Sequence, residues 1–152
     1  RRTEETTKMI NMLTGLDSTS SALNAERIRM DVVSQNIANV NTTKGPNGKP
    51  YVRQQAVFEA VLQDQLKPAG LPGSGPSILR LARIESSHRP PRLVYQPGHV
   101  DADANGMVSL PNINIYEEMV DLMVASRAYE ANLDVVKTAR SMALQTLAIG
   151  KR

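Results

Sequence analysis

The stretch MINMLTGLDSTSSALNAERIRMDVVSQNIANV, from Met9 to Val40, places Met9, Leu16, Leu23, Met30 and Ile37 seven residues apart. Leu13, Val33 and Val40 add apolar surface three or four residues away. A spacing of seven gathers side chains on one side of a helix, so the pattern predicts a long amphipathic helix from about Lys8 to Val40. Gly15 is its weak point, with Asp17 or Ser18 able to recap the chain there. The other end repeats the pattern: Ile115, Leu122, Tyr129, Val136 and Ala143 recur every seven residues, with Met119, Leu133 and Leu147 offset. Asn114 followed three residues later by Glu117 reads as an N-cap, Pro111 blocks upstream extension, and Gly150 stands where helices end. A helix of about 35 residues would be about 50 Å long. Ser20, Arg27, Ser34, Ser126 and Arg140 also occupy heptad slots. Both seams are therefore too interrupted for a self-sufficient two-helix zipper, and they call for several neighbours.

The middle of the chain shares none of this periodicity. Asn39, Asn41, Thr42 and Thr43 end the first helix, and Gly45-Pro46-Asn47-Gly48 is a turn with Asn-Gly suited to positive φ. Short strands are expected at residues 51–58, 78–84, 93–95 and 107–110. Pro68 to Ser77 is a Gly/Pro/Ser loop, expected to be mobile. The predicted fold is mainly α with a small β region: long terminal helices paired as a coiled-coil-like hairpin, and a small irregular β element between them. Residues 1–43 and 111–152 would form one discontinuous helical assembly domain, and 44–110 the β-rich middle.

Composition narrows the function classes. The 152 residues contain no Cys and no Trp, one Phe and four Tyr. Disulfides, thiolate catalysis and cysteine-ligated metals are excluded, and base stacking on aromatics is disfavoured. The basic surplus is local. Residues 1–42 and 111–152 each carry five basic and five acidic side chains, and 43–110 carry eight against five. Those eight are dispersed, a solvated surface rather than a nucleic-acid footprint. No apolar run approaches the roughly 18 residues of a membrane span, and Arg1-Arg2-Thr3-Glu4-Glu5 lacks the apolar core of a secretory signal.

Several motifs suggest chemistry and fail on context. Asp101-Ala102-Asp103-Ala104-Asn105-Gly106 matches the first half of an EF-hand loop, but position 12 is Asn112, and Pro97, Gly98 and Pro111 deny the flanking helices. It reads as a turn built on Asx side chains. His88 and His99 sit in loops beside Pro or Gly with no third ligand at metal spacing. Gly73-Ser74-Gly75 lacks the strand-turn-helix setting of a nucleophile elbow, and Gly45 to Lys49 is too short for a Walker loop. No catalytic set, metal site or cofactor is expected. Met9, Met12, Met30, Met119, Met123 and Met142 suit core packing or an adaptable helix interface.

Ser34-Gln35-Asn36-Ile37-Ala38-Asn39-Val40-Asn41-Thr42 has the least generic explanation, because three asparagines are poor material for a helix end beyond what capping needs. This segment resembles the signature that closes the N-terminal helix of the bacterial flagellar rod, hook and hook-associated axial proteins. Ala25 to Asp31, residues 45–51, 93–99 and 101–106, Glu117 to Val120, Ser126 to Asn132 and Ser141 to Leu144 are similar to the family's proximal-rod members. The likeness spans nearly the whole chain, except the first dozen residues and the 68–77 loop.

That resemblance implies a structural subunit of the basal-body rod, with no enzymatic activity, self-assembling with other axial proteins into a tube that transmits motor torque. It implies proximal and distal rod proteins and the basal-body adaptor at the export gate as partners. It implies passage through the flagellar type III export apparatus without a cleavable signal, and a place in the periplasm without stable membrane insertion. The seam residues Met9, Leu13, Leu16, Leu23, Met30, Ile37, Ile115, Met119, Leu122, Tyr129, Leu133, Val136 and Leu147 are the candidate assembly interface. The competing readings are a peptidoglycan-binding or peptidoglycan-processing module and a generic coiled-coil adaptor. The former would need paired carboxylates in a cleft or a metal.

Overall fold

A computed structural model describes residues 2–62 and 77–149, with side chains described at 15–61, 78–146 and 148. The element order is α1 (Arg2–Ala38), β1 (Gln54–Leu62), β2 (Ser77–Ser86), β3 (Arg92–Tyr95), β4 (Met107–Leu110) and α2 (Ile115–Ile149). The fold is mainly α with a small β region, as expected. The helices are 37 and 35 residues long. Two departures concern α1. It begins at Arg2 rather than near Lys8, and it runs through Gly15 without a break. A single exposed glycine costs a helix about 1 kcal/mol, too little to interrupt so long a segment. The mobile loop expected at 68–77 lies outside the described residues except for Ser77, which opens β2; Gly150 and the side chains of Met9, Leu13 and Leu147 lie outside them as well.

The strands form two two-stranded sheets, β1 with β2 and β3 with β4. The second is antiparallel, pairing Arg92 with Leu110, Leu93 with Ser109, Val94 with Val108 and Tyr95 with Met107. The chain divides into two compact units. One comprises Arg1–Arg27, Phe58–Ala82 and Ser126–Arg152; the other comprises Ile28–Val57 and Arg83–Ala125. In the first, Leu16, Leu23, Tyr129, Leu133 and Val136 are half-buried and Ala25 is buried. Ser21 Oγ donates to the Ser18 carbonyl and accepts the Leu79 N–H, tying β2 to α1. In the second, Val32, Val33, Val108, Ile113 and Ala125 form the buried apolar set. Asn36 and Glu118, both fully buried, lie among them.

Local hydrogen bonds explain why the elements of the second unit stop and start where they do. Asn39 closes α1: its N–H and its Nδ2 both donate to the Gln35 carbonyl, at 3.1 and 2.8 Å. The following turn is closed by Gly48 N–H to Gly45 O at 3.0 Å, with Gly48 at φ 69°. Asn114 caps α2 as expected. Its Oδ1 accepts the Tyr116 N–H at 3.1 Å, and its Nδ2 donates to Glu117 Oε1 at 3.2 Å. No helix among the described residues is long and apolar enough to cross a membrane.

Candidate functional site

Asn36 lies two residues before the end of α1, where its amide faces inward. A primary amide offers two donors and two acceptor lone pairs, and burying it is tolerable only if they are used. Here all four are. Nδ2 donates to Gln54 O at 2.8 Å and to Glu118 Oε2 at 2.9 Å. Oδ1 accepts the Tyr51 hydroxyl at 3.0 Å and the Gln54 N–H at 2.9 Å. One side chain thus joins the end of α1, the segment entering β1 and the first turn of α2.

Glu118 completes the cluster. It is fully buried, and its Oε1 accepts Arg53 Nε at 2.5 Å while Oε2 holds Asn36. Arg53 also lies 3.8 Å from Asp121, which in turn lies 4.0 Å from Arg29 on α1. The pairs Asn36 with Glu118 and Arg29 with Asp121 advance in opposite directions along the two helices, so α1 and α2 meet antiparallel here. Burial, and then the Glu118 charge, raise the Tyr51 hydroxyl above its usual pKa and keep it a donor. A buried ion pair contributes little net stability, but either partner left alone is expensive. The cluster is a geometric fastener in which every member depends on the others.

A second tie holds the loops. Asp101 accepts Lys44 Nζ at 2.5 Å and the Thr43 hydroxyl at 2.7 Å, contacts that hold its carboxyl below the usual carboxylate range. Asp103 Oδ1 accepts the N–H groups of Asn105 and Met107, at 2.8 and 2.9 Å. The EF-hand-like segment is therefore an Asx-built turn between β3 and β4. Gly106 stands in it at φ 75°, where an added Cβ would lie 2.9 Å from the Tyr95 ring. His99 Nδ1 accepts the Asp101 N–H at 3.0 Å. Among the described residues no group of three or more His, Cys, Asp or Glu could hold a metal ion.

An open cleft of about 440 Å³ is lined by Arg53, Tyr116, Glu117, Val120 and Asp121. It contains no nucleophile paired with a base. Its acidic groups belong to the helix cap and the fastener: Glu117 receives Asn114, and Asp121 is near Arg29 and Arg53.

The segment that stood out in the sequence supplies one member of the fastener, Asn36. Gln35 and Asn39 build the helix stop, and the Thr42 hydroxyl donates to Asn39 Oδ1 at 3.1 Å. Ile37 and Val40 are half-buried; Ser34, Ala38 and Asn41 are exposed. Of the seam residues, Leu16, Leu23, Met30, Ile37, Leu122, Tyr129, Leu133 and Val136 are half-buried, whereas Ile115 and Met119 are exposed. Sequence reasoning missed Tyr51, Arg53, Gln54 and Glu118. The available signal was helical spacing: Glu118 lies three residues after Ile115 and four before Leu122, so it shares their face.

Two family models match the chain. One, described as flagella basal body rod protein, covers residues 16–46; the other, described as flagellar basal body rod FlgEFG protein C-terminal, covers 104–149. Among curated relatives, the flagellar basal-body rod protein FlgC of Salmonella typhimurium is 39% identical over 140 residues, 92% of this chain and 98% of that protein. FlgC of Borreliella burgdorferi is 41% identical over 150 residues, again covering 92% and 98%. FlgC of Bacillus subtilis is 37% identical over 147 residues, 90% of this chain and 96% of its own. The chain belongs to the FlgC family of flagellar basal-body rod proteins. Its fastener spans both matched segments: Asn36 lies in the first and Glu118 in the second. Tyr51, Arg53 and Gln54 come from the stretch between them. Membership in the FlgC family does not favour the peptidoglycan-module and generic-adaptor readings.

Proposed function

We propose that this chain, a structural subunit of the flagellar basal-body rod, pairs its terminal helices as a coiled-coil-like hairpin and packs them against those of neighbouring subunits to build a helical tube. The observation that carries this reading is the apolar surface α2 leaves in solvent. Tyr116 is 80% exposed, Val120 54%, Met123 55% and Leu144 57%, with Ile115, Met119, Val124, Val135 and Met142 also exposed. Soluble proteins rarely leave so long an apolar stripe uncovered unless something packs on it.

In this reading residues 1–43 and 111–152 form the assembly body and 44–110 form the outer β-rich part. The seam from Met9 to Ile37 and from Ile115 to Leu147 lies partly inside the subunit and partly between subunits. The partners are further copies, the other proximal and distal rod proteins, and the basal-body adaptor at the export gate. The chain travels unfolded through the flagellar type III export apparatus and takes its place in the periplasmic rod. It has no enzymatic role: packed helices resist torsion and pass rotation outward.

Leu23→Asp and Leu133→Asp place a charge in the half-buried seam, and Met123→Asp places one on the exposed stripe. All three are expected to abolish rod formation and swimming. Met123→Asp should do so with the melting temperature of the free chain unchanged, separating assembly from folding. Swimming at the wild-type rate by Leu23→Asp and Leu133→Asp would refute the seam, and by Met123→Asp the stripe.

A further inference from the structure

Apolar contacts specify register poorly. Within the unit formed by residues 28–57 and 83–125, the buried apolar groups that α1 and α2 contribute are Val32, Val33 and Ala125, small aliphatic side chains that pack comparably after a slip of one helical turn. Asn36 and Glu118 are different, because their hydrogen bonds are directional and their burial makes a lost partner costly. A one-turn slip of α2 along α1 would part Asn36 from Glu118, leaving one donor and one buried carboxylate oxygen unmatched.

We propose that the Asn36–Glu118–Arg53 cluster is the register pin of the two terminal helices, a set of buried polar side chains that selects one offset of α2 against α1 rather than adding stability. A buried asparagine at a helix interface serves this purpose in coiled coils, where it costs stability and fixes register. The present arrangement goes further. Asn36 is anchored to the backbone of Gln54 on both its donor and acceptor sides, so the pin is itself held in place by β1. Arg53, one residue before Gln54, brings the matching charge to Glu118 from the same segment. The segment entering β1 thereby touches both helices, and the offset is read from the β segment as well as from helix packing. The value of one offset to a tube rests on the rod-assembly reading above. The pin itself is a property of the free chain.

The chain has no cysteine, so spin labels can be placed without background at Ala38→Cys and Val124→Cys, both exposed, outside the cluster and offset by about 12 Å along the helix axes. Double electron–electron resonance on the full free chain should give one narrow distance. The double variant Arg53→Met with Glu118→Leu removes the link to α2 while leaving Asn36 bonded to Gln54 and Tyr51. It is expected to melt within a few degrees of the parent yet show a second distance population, shifted by a few ångströms because α2 has slid about one turn, roughly 5 Å, along α1. Arg53→Met with Glu118→Gln keeps one acceptor oxygen, for Asn36 Nδ2, without the charge, and should restore the single population. Arg53→Met with Glu118→Leu showing the parent's single distance would overturn the pin, because apolar packing would then set the register alone. Failure of that variant to fold would overturn it too, by showing that the cluster supplies stability. Because these distances are read without assembly, they are independent of the swimming assays that test the rod reading.

Discussion

At the scale of single residues, Asn36 explains why an asparagine-rich helix end is worth having. Asn36→Ala would strand the Tyr51 hydroxyl, the Gln54 backbone and one oxygen of Glu118. At about 1–3 kcal/mol for each group left buried and unpaired, partly relieved by water, a loss of about 2–4 kcal/mol is expected in urea denaturation. Asp101 makes a separate prediction in pH. The Lys44 and Thr43 hydrogen bonds depress its pKa in the folded state, so its contribution is present above the unfolded value of about 3.9 and is lost as pH falls through the folded value. The melting-temperature difference between the parent and Asp101→Asn should therefore be full at pH 6 and disappear in strong acid. Asn36 was legible in the sequence because its residue type is out of place in a helix. Glu118 was not, because an acidic residue in a first helical turn already has an explanation in the helix dipole.

Helix and strand elements were legible wherever a chemical signal terminates them. Asn114, Gly48 and Gly106 act as cap and turn residues for the reasons their types suggest, and the strands expected at 93–95 and 107–110 appear as β3 and β4. The start of α1 was not legible, since nothing before Lys8 carries apolar periodicity. Nor was its continuity through Gly15, whose cost is small beside the cooperativity of so long a helix. Gly15 is exposed, and an added Cβ there would meet nothing within 4 Å. Gly15→Ala is accordingly expected to stabilise the chain, by about 0.5–1 kcal/mol, read as a higher urea midpoint. A lower midpoint would mean that the glycine serves a bend or contact in α1. The phase of the seams was harder to read: in the first turns of α2, Glu118 and Ala125 face inward while the seam residue Met119 stands in solvent.

At the scale of the whole molecule, the matching heptads at both ends already pointed to a helical protein that needs neighbours, and the likeness of the Asn-rich segment supplied which kind. The division into two units was beyond sequence reading, because one takes both ends of the chain with 58–82 and the other takes 28–57 with 83–125, so each helix contributes to both. The central claim is that a FlgC-family subunit builds the rod by packing its terminal helices side by side with those of its neighbours. Cryo-electron microscopy of this chain assembled with its partner rod subunits tests it most directly. The account predicts a tube in which α1 and α2 are packed as a pair and the exposed stripe from Tyr116 to Leu144 is covered by helices of adjacent subunits. A tube joined through residues 44–110, with that stripe still facing solvent, would contradict it.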